Sequence, residues 1–400
     1  MQQTFNFKGL LSVAVLGSCL LVQNAFAQVT VTGSSGGGAV NTTFSTLKAA
    51  FDALNTQTTQ AGRAITISIT GNTTETATAR LNQPSVSTWT SLTISPTGGA
   101  ARTISGAIAA GFPLIDLNGA NNVTINGLNS GGNALTLVNT TVSATAGTST
   151  IPFVNDATNN TITNCTVNGA STMASTTNGG TIWFGTTTGT NGNDNNTISA
   201  CNIGADGTNL PAKAICSLGT STSLAHYNSN NTITGCNIFD FFSATVVSSG
   251  LFLGQATTNW TISNNKLYQT ATRTQTTGAV HAGVEVASNV GNNNHLISGN
   301  TIGYSNSTGT GTYTFIGVDG SRFYPIYFSD GGSTTPSIIQ NNIITNITLP
   351  TANISGVPFI GIFMANPTTG WTNITGNTIG STTNNAINIS SSSSLNSGLC

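Results

Sequence analysis

Asn160-Thr161-Ile162-Thr163-Asn164-Cys165-Thr166-Val167 returns 36 residues later as Asn196-Thr197-Ile198-Ser199-Ala200-Cys201-Asn202-Ile203, and 35 residues after that as Asn231-Thr232-Ile233-Thr234-Gly235-Cys236-Asn237-Ile238. Looser copies follow in Ile262–Leu267, Ile297–Ile302, Ile339–Ile344 and Ile374–Ile379, and Val123–Leu128 is a degenerate first copy. The central isoleucines 125, 162, 198, 233, 262, 297, 339 and 374 are 37, 36, 35, 29, 35, 42 and 35 apart. Self-similarity at this period means stacked supersecondary units, each covering its neighbour's open core.

Each unit reads as strands. Thr-Ile-Thr and Asn-Ile-x alternate in and out, and the Asn or Gly between them suits a turn. Ten to thirteen residues before most of these anchors lies a third apolar run, as in Gly250-Leu251-Phe252-Leu253, Gly283-Val284-Glu285-Val286, Pro325-Ile326-Tyr327-Phe328 and Gly361-Ile362-Phe363-Met364. Helical repeats would need apolar residues at 3.6 spacing, and a propeller blade would need four antiparallel strands. Three short strands per unit predict a right-handed parallel β-helix of about 8–10 coils.

The third position after each anchor is Cys165, Cys201, Cys236, Asn265, Asn300, Asn342 and Asn377. Stacked coils would put these side chains in one column, about 4.8 Å apart, where Asn amides bond along the axis and Cys acts as a small buried hydrophobe. A column does not converge on a point, so no zinc site is expected from it, and the thiols are expected free.

Outside the repeat the chain divides simply. Residues 1–27 combine Lys8, an apolar run and Ala25-Phe26-Ala27, the pattern of a secretory signal peptide; Leu16-Gly17-Ser18-Cys19 is a weaker lipobox alternative. Residues 28–110 hold a cap and the first coils. Phe44, Leu47, Phe51 and Leu54 share a face of a helix near residues 43–55. Residues 111–390 are the coils, and 391–400 form a Ser-rich end, where the expectation is either a fragment that lacks C-terminal domains or an open end capped by a partner.

With these columns and this cap the chain resembles the pectin-lyase-like right-handed β-helix superfamily, and more narrowly is similar to repeat-rich secreted cell-surface proteins of Gram-negative bacteria. That resemblance implies a secreted or outer-surface protein and raises polysaccharide lyase or glycoside hydrolase chemistry, though no catalytic motif comes with it.

Composition bounds the function. Only 5% of 400 residues are charged and the formal net charge is −1, so the electrostatic footprint of a nucleic-acid binder is missing. No nucleotide motif or metal cluster is apparent, and no cofactor is expected. Lyases and hydrolases need carboxylates on neighbouring coils, within about 5–9.5 Å for an acid/base pair. Asp116 and Glu285 fall five coils apart, about 24 Å. The one local density of functional groups is His281, Glu285, Asp319, Arg322 and Asp330, the weak candidates for a catalytic site. His226 and His295 sit in Asn-rich turns and are expected in solvent. A Thr-x-Thr array beside the anchors, such as Thr161/Thr163 and Thr232/Thr234, raises ice binding as a minor alternative.

In the third strand, residues between inward aliphatics point out. Unit by unit these are Asp116, Pro152, Trp183, Cys216, Phe252, Glu285, Tyr327 and Phe363. Rings in such a column suit the apolar faces of sugars, which makes Trp183, Phe252, Tyr327 and Phe363 candidate platforms for a polysaccharide or surface glycan. The reading that fits most of these features is a secreted adhesion or glycan-binding scaffold without catalysis.

Overall fold

A computed structural model describes residues 27–174, 178–287, 293–329, 335–350, 357–365, 372–381 and 386–390. Its repeated units form a right-handed parallel β-helix of three long sheets. The anchor sheet has twelve strands, of which those from Ala64–Ile69 to Thr372–Thr375 run parallel, one per coil. The anchor isoleucines lie in direct register: Ile125, Ile162, Ile198, Ile233, Ile262, Ile297, Ile339 and Ile374 pair in turn. The second sheet follows each anchor strand and stacks Leu137, Val167, Ile203, Ile238, Leu267, Ile302 and Ile344. The third sheet runs from Ala79–Asn82 to Ile362–Met364 in nine strands. A fourth strip, Arg273–Thr274, Tyr313–Ile316, Ile347–Pro350 and Ile387–Ser390, widens the C-terminal coils.

The bends around the anchor strand are single residues in left-handed conformation. Three positions before the anchor stand Asn122, Asn159, Asn195, Asn230, Asn259 and Asn294, with φ between 54° and 58°. Two positions after it stand Asn164, Ala200, Gly235, Asn264, Gly299, Asn341 and Gly376, all at positive φ. Asn tolerates this region and Gly meets no Cβ penalty there, so the recurring Asn and Gly are the local cause of the polygonal coil.

Inside each bend sits a polar ladder. Asn265 Nδ2 donates to Asn300 Oδ1 (3.0 Å), Asn300 Nδ2 to Asn342 Oδ1 (2.9 Å) and Asn342 Nδ2 to Asn377 Oδ1 (2.8 Å). The same oxygens accept the backbone N–H of the preceding coil, from Cys236 onward. Each amide also donates to the anchor carbonyl of the coil before, as Asn300 does to Ile262 (2.9 Å). Cys165, Cys201 and Cys236 are aligned on the same carbonyl series, with Sγ 3.6–3.7 Å from the oxygens of Ile125, Ile162 and Ile198. These three and Cys216 are buried free thiols. Cys400 lies outside the described residues.

A second ladder, two positions before the anchors, comprises Asn160, Asn196 and Asn231. Val123 N–H donates to Asn160 Oδ1, Asn160 N–H to Asn196 Oδ1 and Asn196 N–H to Asn231 Oδ1 (2.8–3.0 Å). In later coils Trp260, His295 and Ser337 take these places. Trp260 N–H donates to His295 Nδ1 (3.3 Å), and His295 N–H to Ser337 Oγ (3.0 Å). His295 is therefore not in solvent as its Asn-rich surroundings suggest; it is 1% exposed. His226 is half-buried, its Nδ1 near the Ser223 hydroxyl (2.6 Å) and its Nε2 near Gly189 O (3.2 Å).

At the N-terminal end a helix, α1 (Leu47–Asn55), covers the core with Leu47, Ala50, Phe51 and Leu54. Thr46 caps it, its Oγ1 accepting from Ala49 N–H (3.1 Å). Phe44 falls outside it, in a short strand antiparallel to Val29–Thr32, which in turn pairs antiparallel with Ala64–Ile69 and covers that edge.

The ladder makes a direct prediction. Asn300→Ala removes four buried side-chain hydrogen bonds and leaves Asn265 without its acceptor, a loss of about 2–4 kcal/mol. Amide exchange at Asn265 should accelerate first. An unchanged denaturation midpoint with unchanged exchange there would refute the energetic role of the column.

Candidate functional site

The outward column of the third sheet is in the expected register. Arg80, Asp116, Pro152, Trp183, Cys216, Phe252, Glu285, Tyr327 and Phe363 follow one another coil by coil. Exposure, however, is uneven. Trp183, Tyr327 and Phe363 are half-buried, whereas Pro152, Cys216, Phe252 and Glu285 are buried. Phe252, at 3% exposed, has no open face and cannot serve as a stacking platform. Its ring lies under the Lys213 ammonium, 5.3 Å from Nζ, and against Leu218 near Gly254.

A bend explains a second outward column that alternation alone does not reveal. A Cβ at Gly250 would lie 2.8 Å from the Leu267 side chain and 3.0 Å from Phe241, so this position faces inward together with Leu251. Two successive inward residues reset the alternation, and Lys213, Ser249, Ala282 and Tyr324 align three residues before the first column. Sequence reasoning missed Lys213, Ser249 and Tyr324; the available signal was the short residue before the aliphatic of the third strand, Ala214, Gly250 or Gly283, with Pro325 in the same place. Tyr324 stacks on Phe363 (centroids 4.7 Å apart), and Tyr327 contacts both rings at 5.9 and 5.4 Å. These three rings form the aromatic surface at the C-terminal end of the column.

Glu285 lies beneath this surface. Ser249 Oγ donates to its Oε2. Burial pushes its carboxyl up to about 7, with the Ser249 hydrogen bond and the Lys213 charge opposing. Lys213 is itself fully buried and donates to Ala174 O (2.7 Å).

The other charged candidates do not assemble with it. His281 faces the core, where Nδ1 meets Ser248 Oγ (2.7 Å) and Nε2 meets Tyr313 Oη (2.5 Å) among Phe241, Phe315 and Phe323. Burial lowers its pKa to about 3. Asp319 is exposed in a turn, and Arg322 is half-buried and donates to Ser321 O (2.8 Å). Asp330 lies outside the described residues. The expected density of functional groups thus divides between core, turn and outer face. Among the described residues, no three or more His, Cys, Asp or Glu are grouped to hold a metal ion. On the anchor sheet, hydroxyls of the Thr-x-Thr array bond one another, Ser199 to Thr163 and Thr234 to Ser263 (both 2.9 Å).

No family model matches the chain, and no curated protein is significantly similar to it. Among solved structures, it is similar to the surface protein and adhesin PfbA of Streptococcus pneumoniae: TM-score 0.43, 13% identity, over 86% of this chain and 94% of that one. A second PfbA structure gives 0.42, 12% identity, 86% and 88%. ORF18 of Geobacillus virus E2 gives 0.32, 15% identity, 82% and 57%. At such scores and identities the likeness transfers no activity to this chain. No helix among the described residues is long and apolar enough to cross a membrane.

Two buried titrating groups give predictions of opposite sign. Glu285 has a folded pKa above its unfolded value, so its contribution is complete below about 4.5 and is lost as pH rises through about 7. Glu285→Gln should gain about 3 kcal/mol on the wild type between pH 4.5 and 8. Parallel pH profiles for the two proteins would contradict this. His295, lowered to about 3 by burial, contributes stability above 6.5 that falls away with acid. Replacing it with the ladder's own residue, His295→Asn, should recover about 2 kcal/mol relative to wild type between pH 7 and pH 5. The check is denaturation at both pH values, and no relative gain in acid counts against it.

Proposed function

We propose that this chain is an exported, cell-surface adhesion scaffold that binds a polysaccharide on the outer face of the third sheet and performs no catalysis. The observation that carries the reading is the cluster of Tyr324, Tyr327 and Phe363, packed ring on ring, with Tyr327 and Phe363 half-open on a strand face and Tyr324 buried behind them. Water-facing positions elsewhere in this chain are mostly Thr, Ser or Asn, so adjacent rings there need a reason. Aromatic faces suit the C–H faces of sugars, and neighbouring hydroxyls and amides suit their hydroxyls. Trp183 supplies a further ring four coils away, about 19 Å along the axis. Export rests on the leader pattern of residues 1–27.

The non-catalytic reading is supported by the carboxylates among the described residues. Glu285 has Phe252 and Tyr327 as its column neighbours, and Asp116 lies five coils away. At five coils, about 24 Å, the Asp116–Glu285 spacing does not serve an acid/base pair, which needs about 5–9.5 Å.

The direct test is a glycan array with the wild type and a Trp183→Ala/Tyr327→Ala variant, alongside a depolymerisation screen on pectins, alginates, xylans and glucans. The wild type should bind at least one polysaccharide, the variant at least tenfold more weakly, and neither should release products. Equal binding by both proteins rejects the aromatic surface. Product release that disappears in Glu285→Gln rejects the non-catalytic reading.

A further inference from the structure

Charge is scarce in this chain, with nine basic and ten acidic residues, yet Lys48, Asp52, Glu75, Arg80 and Asp116 all gather at the N-terminal end. A cleft of about 390 Å³ opens there between α1 and the start of the third sheet, within the usual range of small-molecule sites. One wall is α1, which is held at both ends. Glu75 accepts the N–H groups of Leu47 (2.9 Å) and Lys48 (3.0 Å). Asn55 donates to Arg80 O (2.8 Å) and accepts from Asn82 N–H (2.9 Å). A wall fixed in this way presents its side chains without an ordering cost at binding.

Two ion pairs line or support the cleft. Lys48 meets Asp52 one helical turn on (2.5 Å), and Arg80 Nε meets Asp116 Oδ2 (2.7 Å). Asp116 is the buried member, 5% exposed, and it positions an arginine whose own side chain is 51% exposed. Thr76, Ala77 and Thr78 also line it, and the opposite wall is apolar: Ile108, Ala109 and Phe112. Phe112 is 51% exposed, and it is the one aromatic among the exposed large hydrophobics of the described residues.

We propose that this cleft binds a neutral pyranose sugar, with Phe112 against its C–H face and the Asp52, Lys48 and Arg80 side chains on its hydroxyls. A hydroxyl both donates and accepts, and these two ion pairs offer donors and acceptors side by side. Lys48 and Asp52 sit side by side in the lining and Arg80 is backed by the buried Asp116, so an ionic ligand would meet a like charge close to each opposite one, whereas a neutral polyol meets no such conflict. The exposed ring supplies apolar contact area that a wholly ionic cleft would lack. This site is separate from the Tyr324/Tyr327/Phe363 surface and stands or falls without it.

Isothermal titration of the full chain with cellobiose, maltose and lactose, and with galacturonate as the acidic comparison, tests the proposal. At least one neutral disaccharide should bind. Phe112→Ala should weaken that binding at least tenfold, Asp52→Asn should weaken it several-fold, and Tyr327→Ala should leave it unchanged. Phe112 is half-exposed, so its truncation leaves the core intact, and an unshifted thermal midpoint checks this. The proposal is overturned if no neutral disaccharide binds, if Phe112→Ala binds like wild type, or if galacturonate binds more tightly than every neutral sugar. Loss on Tyr327→Ala with retention on Phe112→Ala would assign the sugar to the other surface and equally overturn it.

Discussion

A coil that bends sharply must turn backbone polar groups towards its own dry interior, and the structure depends on how those groups are satisfied. An unpaired buried amide costs about as much as the hydrogen bonds that hold a coil to its neighbour. Here the answer is an inward Asn at each bend, whose oxygen accepts a backbone N–H from the coil before and whose nitrogen donates to a carbonyl of that coil. The amide is thus both a turn-former's partner and a rung between coils. Because the rung spacing is the strand spacing, one Asn per coil suffices, and the rungs polarise one another along the axis.

The same constraint explains the substitutions within the ladders. Cys165, Cys201 and Cys236 fill the place of the amide with a small side chain, their sulfurs on the same series of carbonyls. His295 fills it with a ring that accepts through Nδ1 but leaves Nε2 buried without a partner. Each replacement keeps the shape and gives up part of the hydrogen bonding. His295 also adds a pH liability, since its charged form has no place in a dry bend.

The register was legible because each anchor isoleucine marks its own coil, and a constant offset from it places every other column. Ile125 to Ile374, the Asn265–Asn377 series and the outward third-strand column all follow from that one alignment. The exposure of the outward column was not legible. Phe252 and Glu285 point away from the core as alternation requires, yet both are buried, with the Lys213 ammonium over the Phe252 ring and the Ser249 hydroxyl on the Glu285 carboxylate, contacts of which the repeat carries no record. His281 was misjudged for a related reason. The Gly283 bend two residues later shifts the alternation, so His281 and Glu285, which look like partners at a spacing of four, belong to opposite faces. The fourth strand strip passed as loop because it is confined to the C-terminal units, so its short runs do not recur along the rest of the repeat.

A solenoid whose rungs are this regular leaves little freedom inside the repeat, so individuality must collect where the chain departs from it. The departures here are the scarce charges, the half-open rings and the unit of 42 residues before Ile339. Two groups of them fall at the two ends of one column: Arg80 in the N-terminal cleft, and Tyr327 and Phe363 seven and eight coils on, about 34 Å and more away. Buried Pro152, Cys216, Phe252 and Glu285 interrupt the open surface between them. A short ligand can therefore occupy only one end at a time. A long polymer lying along the axis could engage both, and its second contact would be intramolecular, raising avidity without any tighter single site. If both proposed sites bind sugar, two weak and rigidly spaced sites would suit a repetitive polymer better than one deep pocket, and the ladders would supply the rigidity that keeps the spacing constant.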